Sequence, residues 1–130
     1  MESVAGRSNK NLKFKMQNSK LKLKSLKVVL FIDTSSNERI SVGVWIGNKR
    51  ETLDRDIDTR KAQAVLPMID EILKKHGLNI KDVGEIRVEK GPGSFTGLRV
   101  GIAVANALAF SLKIPINEKK VGEFVEPKYE

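Results

Sequence analysis

Between Thr96 and Leu112 the chain carries a stretch whose only charge is Arg99. Helical periodicity puts Leu98, Gly101, Ile102, Ala105, Leu108, Ala109 and Leu112 on one face. Thr96, Val100, Ala103, Ala107 and Phe110 fall on roughly the opposite face. Arg99 and Asn106 are the clearly polar positions between them. A helix with two apolar faces needs two coverings. One face suits a sheet. The other is either buried within its own domain or meets a partner. The other long helix of the chain has a single apolar stripe, so a helix–helix contact with a partner is the preferred reading. Such contacts typically bury about 1,200–2,000 Å² in total. Small residues at Gly97, Gly101, Ala105 and Ala109, and again at Ala103, Ala107 and Ser111, allow close approach.

What precedes this helix places it. Lys27–Asp33 is a continuous β-branched and aromatic run, read as a strand buried on both faces. Ile40–Ile46 alternates as a half-buried strand, Gly47-Asn48 is a hairpin turn, and a third short strand spans Arg50–Leu53. A helix from Arg60 to His76 has Asp58 or Thr59 as its cap and Lys74, Lys75 and Gly77 at its end. Pro67 inside it either kinks the helix or marks its effective start. A fourth strand, Glu85–Glu89, leads through Gly91–Gly97 into the second helix. Ile114–Asn117 adds a short strand, and Glu118–Glu130 reads as a charged, loose tail. The order is an α/β mixed sheet with an antiparallel three-strand meander and two principal helices.

Charge divides the chain unevenly. Of the 24 basic and 16 acidic residues, residues 1–27 hold eight and one, leaving the remaining 103 nearly neutral. Residues 1–26 are therefore a basic extension to a body spanning 27–117. The extension reads as solvated chain, as an over-called start ahead of a later one at Met16, or as an arm whose cations contact RNA phosphates. The absence of cysteine excludes a disulfide scaffold, a zinc ribbon and a thiol nucleophile. A lone histidine, His76, excludes any metal site needing two imidazoles. No membrane span and no secretory signal are expected.

Two turns carry candidate chemistry. Gly91, Gly93 and Ser94 lie between a strand and a helix N-terminus, where N–H groups can face a phosphate. Asp33, Thr34 and Ser35 end the first strand, where a carboxylate and hydroxyls can meet a Mg²⁺-bound water or phosphate. The alternative for the first is a rigid turn with closely packed glycines, and for the second a capped turn.

Three segments, Ile32-Asp33-Thr34-Ser35, Leu66-Pro67-Met68-Ile69 and Gly91-Pro92-Gly93-Ser94-Phe95-Thr96-Gly97-Leu98-Arg99-Val100-Gly101, occur in order. Together they closely resemble the TsaB (YeaZ) family of tRNA threonylcarbamoyladenosine biosynthesis, over about Lys27–Asn117. The resemblance implies an actin-like, ribonuclease-H-type domain in the cytoplasm. It also implies a non-catalytic, architectural role beside a TsaD-like catalytic subunit and a TsaE-like ATPase. Partner binding, or pairing of two copies, is implied through the two helices, at Leu66, Ile69, Thr96, Arg99, Val100, Ala103, Ala107 and Phe110. No catalytic and no metal-binding residue is implied. ATP with Mg²⁺ is expected only in the complex, because the family's second actin-like domain is not expected to follow Asn117 here. A family histidine ahead of the Leu66-Pro67 segment corresponds to Lys61. Two other functions compete: a phosphoryl-transfer or hydrolase half-site built on Asp33 and the glycine turn, and an RNA-binding module driven by the basic arm.

Overall fold

The computed structural model describes residues 27–56 and 61–128. Strand β1 (Val28–Asp33) lies inside a four-stranded sheet of order β3-β2-β1-β4. It pairs antiparallel with β2 (Arg39–Ile46) and parallel with β4 (Glu85–Val88), while β2 and β3 (Lys49–Asp56) form the antiparallel hairpin. The two-residue Gly47-Asn48 loop closes that hairpin, with Gly47 at φ 59°. Strand β3 runs beyond the expected Arg50–Leu53. Its polar residues face solvent at the sheet edge, so hydropathy does not mark its length, and backbone pairing to all of β2 does.

Both helices pack on one face of the sheet. Leu30, Ile32, Ile40, Val42, Val44, Ile86 and Val88 supply the sheet side of the core. Helix α1 (Lys61–Lys75) contributes Val65, Met68, Ile69, Ile72 and Leu73; helix α2 (Phe95–Leu112) contributes Leu98, Ile102, Ala105 and Ala109. On the opposite sheet face Phe31 and Trp45 stack at 6.0 Å, with the Arg50 guanidinium 4.1 Å from the Trp45 ring centre.

Helix α1 continues through Pro67, which is exposed. The expected cap at Asp58 or Thr59 lies outside the described residues. At the other end the Leu78 N–H donates to the Leu73 carbonyl and the Gly77 N–H to the Lys74 carbonyl, with Gly77 at φ 70°. That closure requires a left-handed residue, which glycine supplies without a Cβ penalty. Helix α2 begins at Phe95, one residue before the expected start, with the Ser94 hydroxyl accepting from the Gly97 N–H.

Three expectations need correction. By length and composition α2 does reach what a membrane span needs, with a mean hydropathy of 1.5. Its few polar residues are dispersed singly, so inspection for an unbroken apolar run misses it. Its inner face is docked on the sheet, through Leu98, Ile102, Ala105 and Ala109. The expected Ile114–Asn117 strand is reduced to one parallel bridge, Ile86 to Ile116. The backbone turns left-handed at Asn117 (φ 48°), and the Asn117 side chain continues the ladder, accepting from the Val88 N–H and donating to its carbonyl. Finally, residues 118–128 are not a loose tail. Val125 is buried in the core, and its peptide group is paired with the Asn106 side chain on α2. Charge hid this: among the apolar residues Val121, Phe124 and Val125 of this mostly polar segment, only Val125 is buried.

Candidate functional site

The two candidate turns form a single junction. The Ser94 N–H donates to the Ser35 carbonyl at 2.9 Å, joining the end of β1 to the start of α2. Asp33 Oδ1 accepts from the Ser35 N–H (2.9 Å) and the Ser35 hydroxyl (2.6 Å), a capped turn. Thr34 is fully buried. Its hydroxyl donates to the Gly97 carbonyl and accepts from the Gly101 N–H, bridging one turn of α2. A methyl group at Gly101 would collide with the Thr34 side chain, and one at Gly93 would come within 2.6 Å of Ser35 Cβ. The glycines at these positions let helix and strand end approach closely.

This geometry corrects the phosphate-contact expectation for Thr34, whose hydroxyl is consumed inside the junction. The Ser94 N–H and hydroxyl are likewise engaged, the first by Ser35 and the second by Gly97. Gly91, at φ 123°, faces the Lys128 carbonyl, which fills the space a side chain would need. Asp33 and Ser35 hold their own turn. Among the described residues no group of three or more His, Asp or Glu side chains is placed to hold a metal ion.

The outer surface of α1 and α2 is different in kind. Leu66 is 52% exposed, and Thr96, Arg99, Ala103, Ala107 and Phe110 are exposed, with Val100 half-buried. Ile69 departs from the expected partner face: it is 3% exposed and sits in the core. It is three residues from Leu66, and the α1 stripe turns inward across that interval. Between the helices runs a shallow groove of about 470 Å³, lined by Ala62, Thr96, Arg99, Val100, Ala103 and Val104. Arg99 lies over the Phe95 ring, 5.2 Å from its centre, at the mouth of the glycine turn.

Charged pairs clamp edge strand β3 to α1. Arg55 holds both oxygens of Glu71 at 2.9 and 3.0 Å. Glu51 pairs with Lys75 and, at 2.8 Å, with His76 Nε2. The Lys75 hydrogen bond is the main cause holding the Glu51 carboxyl below its ordinary value; partial desolvation opposes it, and the Lys75 charge and His76 add to the lowering. His76 thus has a structural partner. On the other side of the sheet, the buried Glu85 carboxylate meets Lys27 Nζ at 2.5 Å and Arg87 Nε at 3.3 Å.

The chain is similar to known proteins over part of its length. The TsaB protein of Haemophilus influenzae, named for tRNA threonylcarbamoyladenosine biosynthesis, is 38% identical over 88 residues, 68% of this chain and 37% of that protein. The solved structure of YeaZ from Pseudomonas aeruginosa superposes with a TM-score of 0.67 at 33% identity, covering 72% of this chain and 44% of that one. The body of this chain is similar to the TsaB family. Its mixed sheet and helix pair are accordingly actin-like. The chain spans about two fifths of the length of the curated TsaB relatives it matches. Residues 56–118 also match the family described as TsaD, tRNA N6-adenosine threonylcarbamoyltransferase. The enzyme of that name from Syntrophus aciditrophicus is 44% identical over 62 residues, 47% of this chain and 18% of the enzyme. The TsaB resemblance read from the three sequence segments is thereby confirmed.

Proposed function

We propose that this chain is a non-catalytic partner subunit in the formation of threonylcarbamoyladenosine on tRNA, docking a TsaD-like catalytic subunit through the outer faces of α1 and α2. One observation carries the reading: Leu66, Ala103, Ala107 and Phe110 form an exposed apolar ridge on a helix pair whose inner faces already cover the sheet. Burying such a ridge against another helix pair recovers the hydration cost of leaving it exposed. The TsaB relatives are named for this modification, and the match to the TsaD family spans both helices. A homologous partner thus has an equivalent pair to offer, and like surfaces can meet about a pseudo-two-fold axis. The junction supports this division of labour, because the Thr34 hydroxyl and the Ser94 N–H are spent on holding α2 to the end of β1.

Ala103→Glu places a carboxylate at the centre of the ridge, where burial without a counter-charge is costly. Association with TsaD, measured by titration calorimetry, is expected to weaken at least about tenfold, with the circular dichroism of the free variant unchanged. Unchanged affinity in the folded variant would sink the proposal. Pairing of two copies in place of TsaD binding would redirect it to a homodimer.

A further inference from the structure

The segment 119–128 crosses the flank of α2 and returns to the glycine turn. Asn106 Nδ2 donates to the Val125 carbonyl and Asn106 Oδ1 accepts from the Val125 N–H, both at 2.9 Å. An amide side chain matched to one residue's peptide group in both directions fixes that residue's position and orientation. Val125 is pinned in the core beneath this pair, and the Lys128 N–H donates to the Lys90 carbonyl at 2.6 Å. The segment is therefore a strap with anchors at α2 and beside Gly91.

Next to the first anchor the strap presents Phe124. Its ring meets the Phe110 ring edge-on at 6.0 Å, yet the two residues are 57% and 63% exposed. Val121, also on the strap, is exposed. On α2, Asn106 lies to one side of the small residues Thr96, Ala103 and Ala107, and Val100 and Val104 lie to the other, toward α1. The strap and α1 thus stand on opposite sides of a floor made of small side chains. Leu66 projects from the α1 side, and Phe110 with Phe124 from the strap side.

We propose that the strap forms one wall of a groove that receives a helix of a TsaD-family partner, with Phe124 as an anchoring side chain. This rests on the function proposed above. The occupant follows from the match to the TsaD family: residues 56–118 hold both helices and stop immediately before the strap. A TsaD-family protein thus has counterparts of α1 and α2 to offer. The strap adds a wall outside the shared segment. Aromatic side chains fixed at the margin of a small-residue floor are the kind that dominate binding energy once water is excluded.

The test measures binding of the full chain to TsaD from the same organism by titration calorimetry. Phe124→Asp is expected to weaken binding about tenfold or more. Val121→Asp is a second strap variant should Phe124→Asp fail to fold. Asn106→Leu removes the pair that positions the strap without removing Phe124. It is expected to weaken binding, abolish hydrogen-exchange protection of the Val125 amide, and add little to Phe124→Asp in the double variant. Loss of affinity in Ala103→Glu with parental affinity in the strap variants overturns the strap inference and leaves the partner reading standing. Parental affinity in Ala103→Glu and in all strap variants overturns both. If Phe124→Asp instead disrupts pairing of two copies while TsaD does not bind, the occupant is wrong and the proposal fails.

Discussion

Thr34 decides more about this molecule than its place in a hydroxyl-rich turn suggests. Its hydroxyl is buried between the Gly97 carbonyl and the Gly101 N–H, so it ties the end of β1 to the first turns of α2. Thr34→Val keeps the volume and removes the hydroxyl. Leaving buried polar groups short of a partner costs about 1–3 kcal/mol, and urea unfolding is expected to show a loss of that order. Glu51 provides a pH-dependent contact at the same scale. Its carboxyl is held below the ordinary value of 4.5 by Lys75 first and His76 after. A carboxyl with a depressed folded-state pKa contributes stability that is complete above its unfolded value and is lost as pH falls through the folded one. Urea midpoints are therefore expected to fall as the pH is lowered below the ordinary value of 4.5, and those of Glu51→Gln to fall less.

At the scale of elements, α1 shows how one helix serves both core and surface. Ile69 is buried against the sheet, whereas Leu66, a turn earlier, stands in solvent. Ile69→Ala is expected to cost about 2–5 kcal/mol, as removal of a buried aliphatic side chain does. Leu66→Ala is expected to change stability by no more than about 0.5 kcal/mol while weakening association with TsaD. Thermal and urea unfolding of the two variants side by side check the contrast. The same division holds along α2, where Leu98, Ile102, Ala105 and Ala109 face the sheet and Ala103, Ala107 and Phe110 face outward. The β3 edge depends less on apolar burial. Its attachments to α1, Arg55 to Glu71 and Glu51 to Lys75 and His76, are exposed or half-exposed, and pairs of that kind contribute little each.

For the whole molecule, charge and fold are separable. Residues 1–27 hold eight basic groups against one acid, and the rest of the chain is nearly balanced. Electrostatic attraction to tRNA is therefore expected to reside in the arm. Removing residues 1–26 is expected to flatten the dependence of tRNA binding on log salt, because fewer phosphates are neutralised. Association with TsaD through the helices is expected to persist. Filter-binding titrations at several salt concentrations check the first outcome, and calorimetry with TsaD the second. An unchanged salt slope would leave the arm without an RNA-contacting role.

The sequence by itself determined the elements and the family. A continuous β-branched and aromatic run was enough for β1, and local periodicity was enough for β2, α1 and α2, because each buries a regular apolar pattern whose period states its geometry. The three segments around Asp33, Leu66 and Gly91–Gly101 were enough for the TsaB resemblance. Tertiary structure alone decided what the polar residues do. Thr34 and Ser94 could equally face a ligand or a neighbouring helix, and only the approach of β1 to α2 spends them on the junction. By sequence Asn106 is only a polar position between two apolar faces, and Val125, 19 residues away, is what it pairs with. Ile69 and Leu66 are both aliphatic residues of one helix, and only its docking angle on the sheet separates core from surface. Periodicity records which side chains avoid water; which polar group each hydrogen bond finds depends on chain segments distant in sequence.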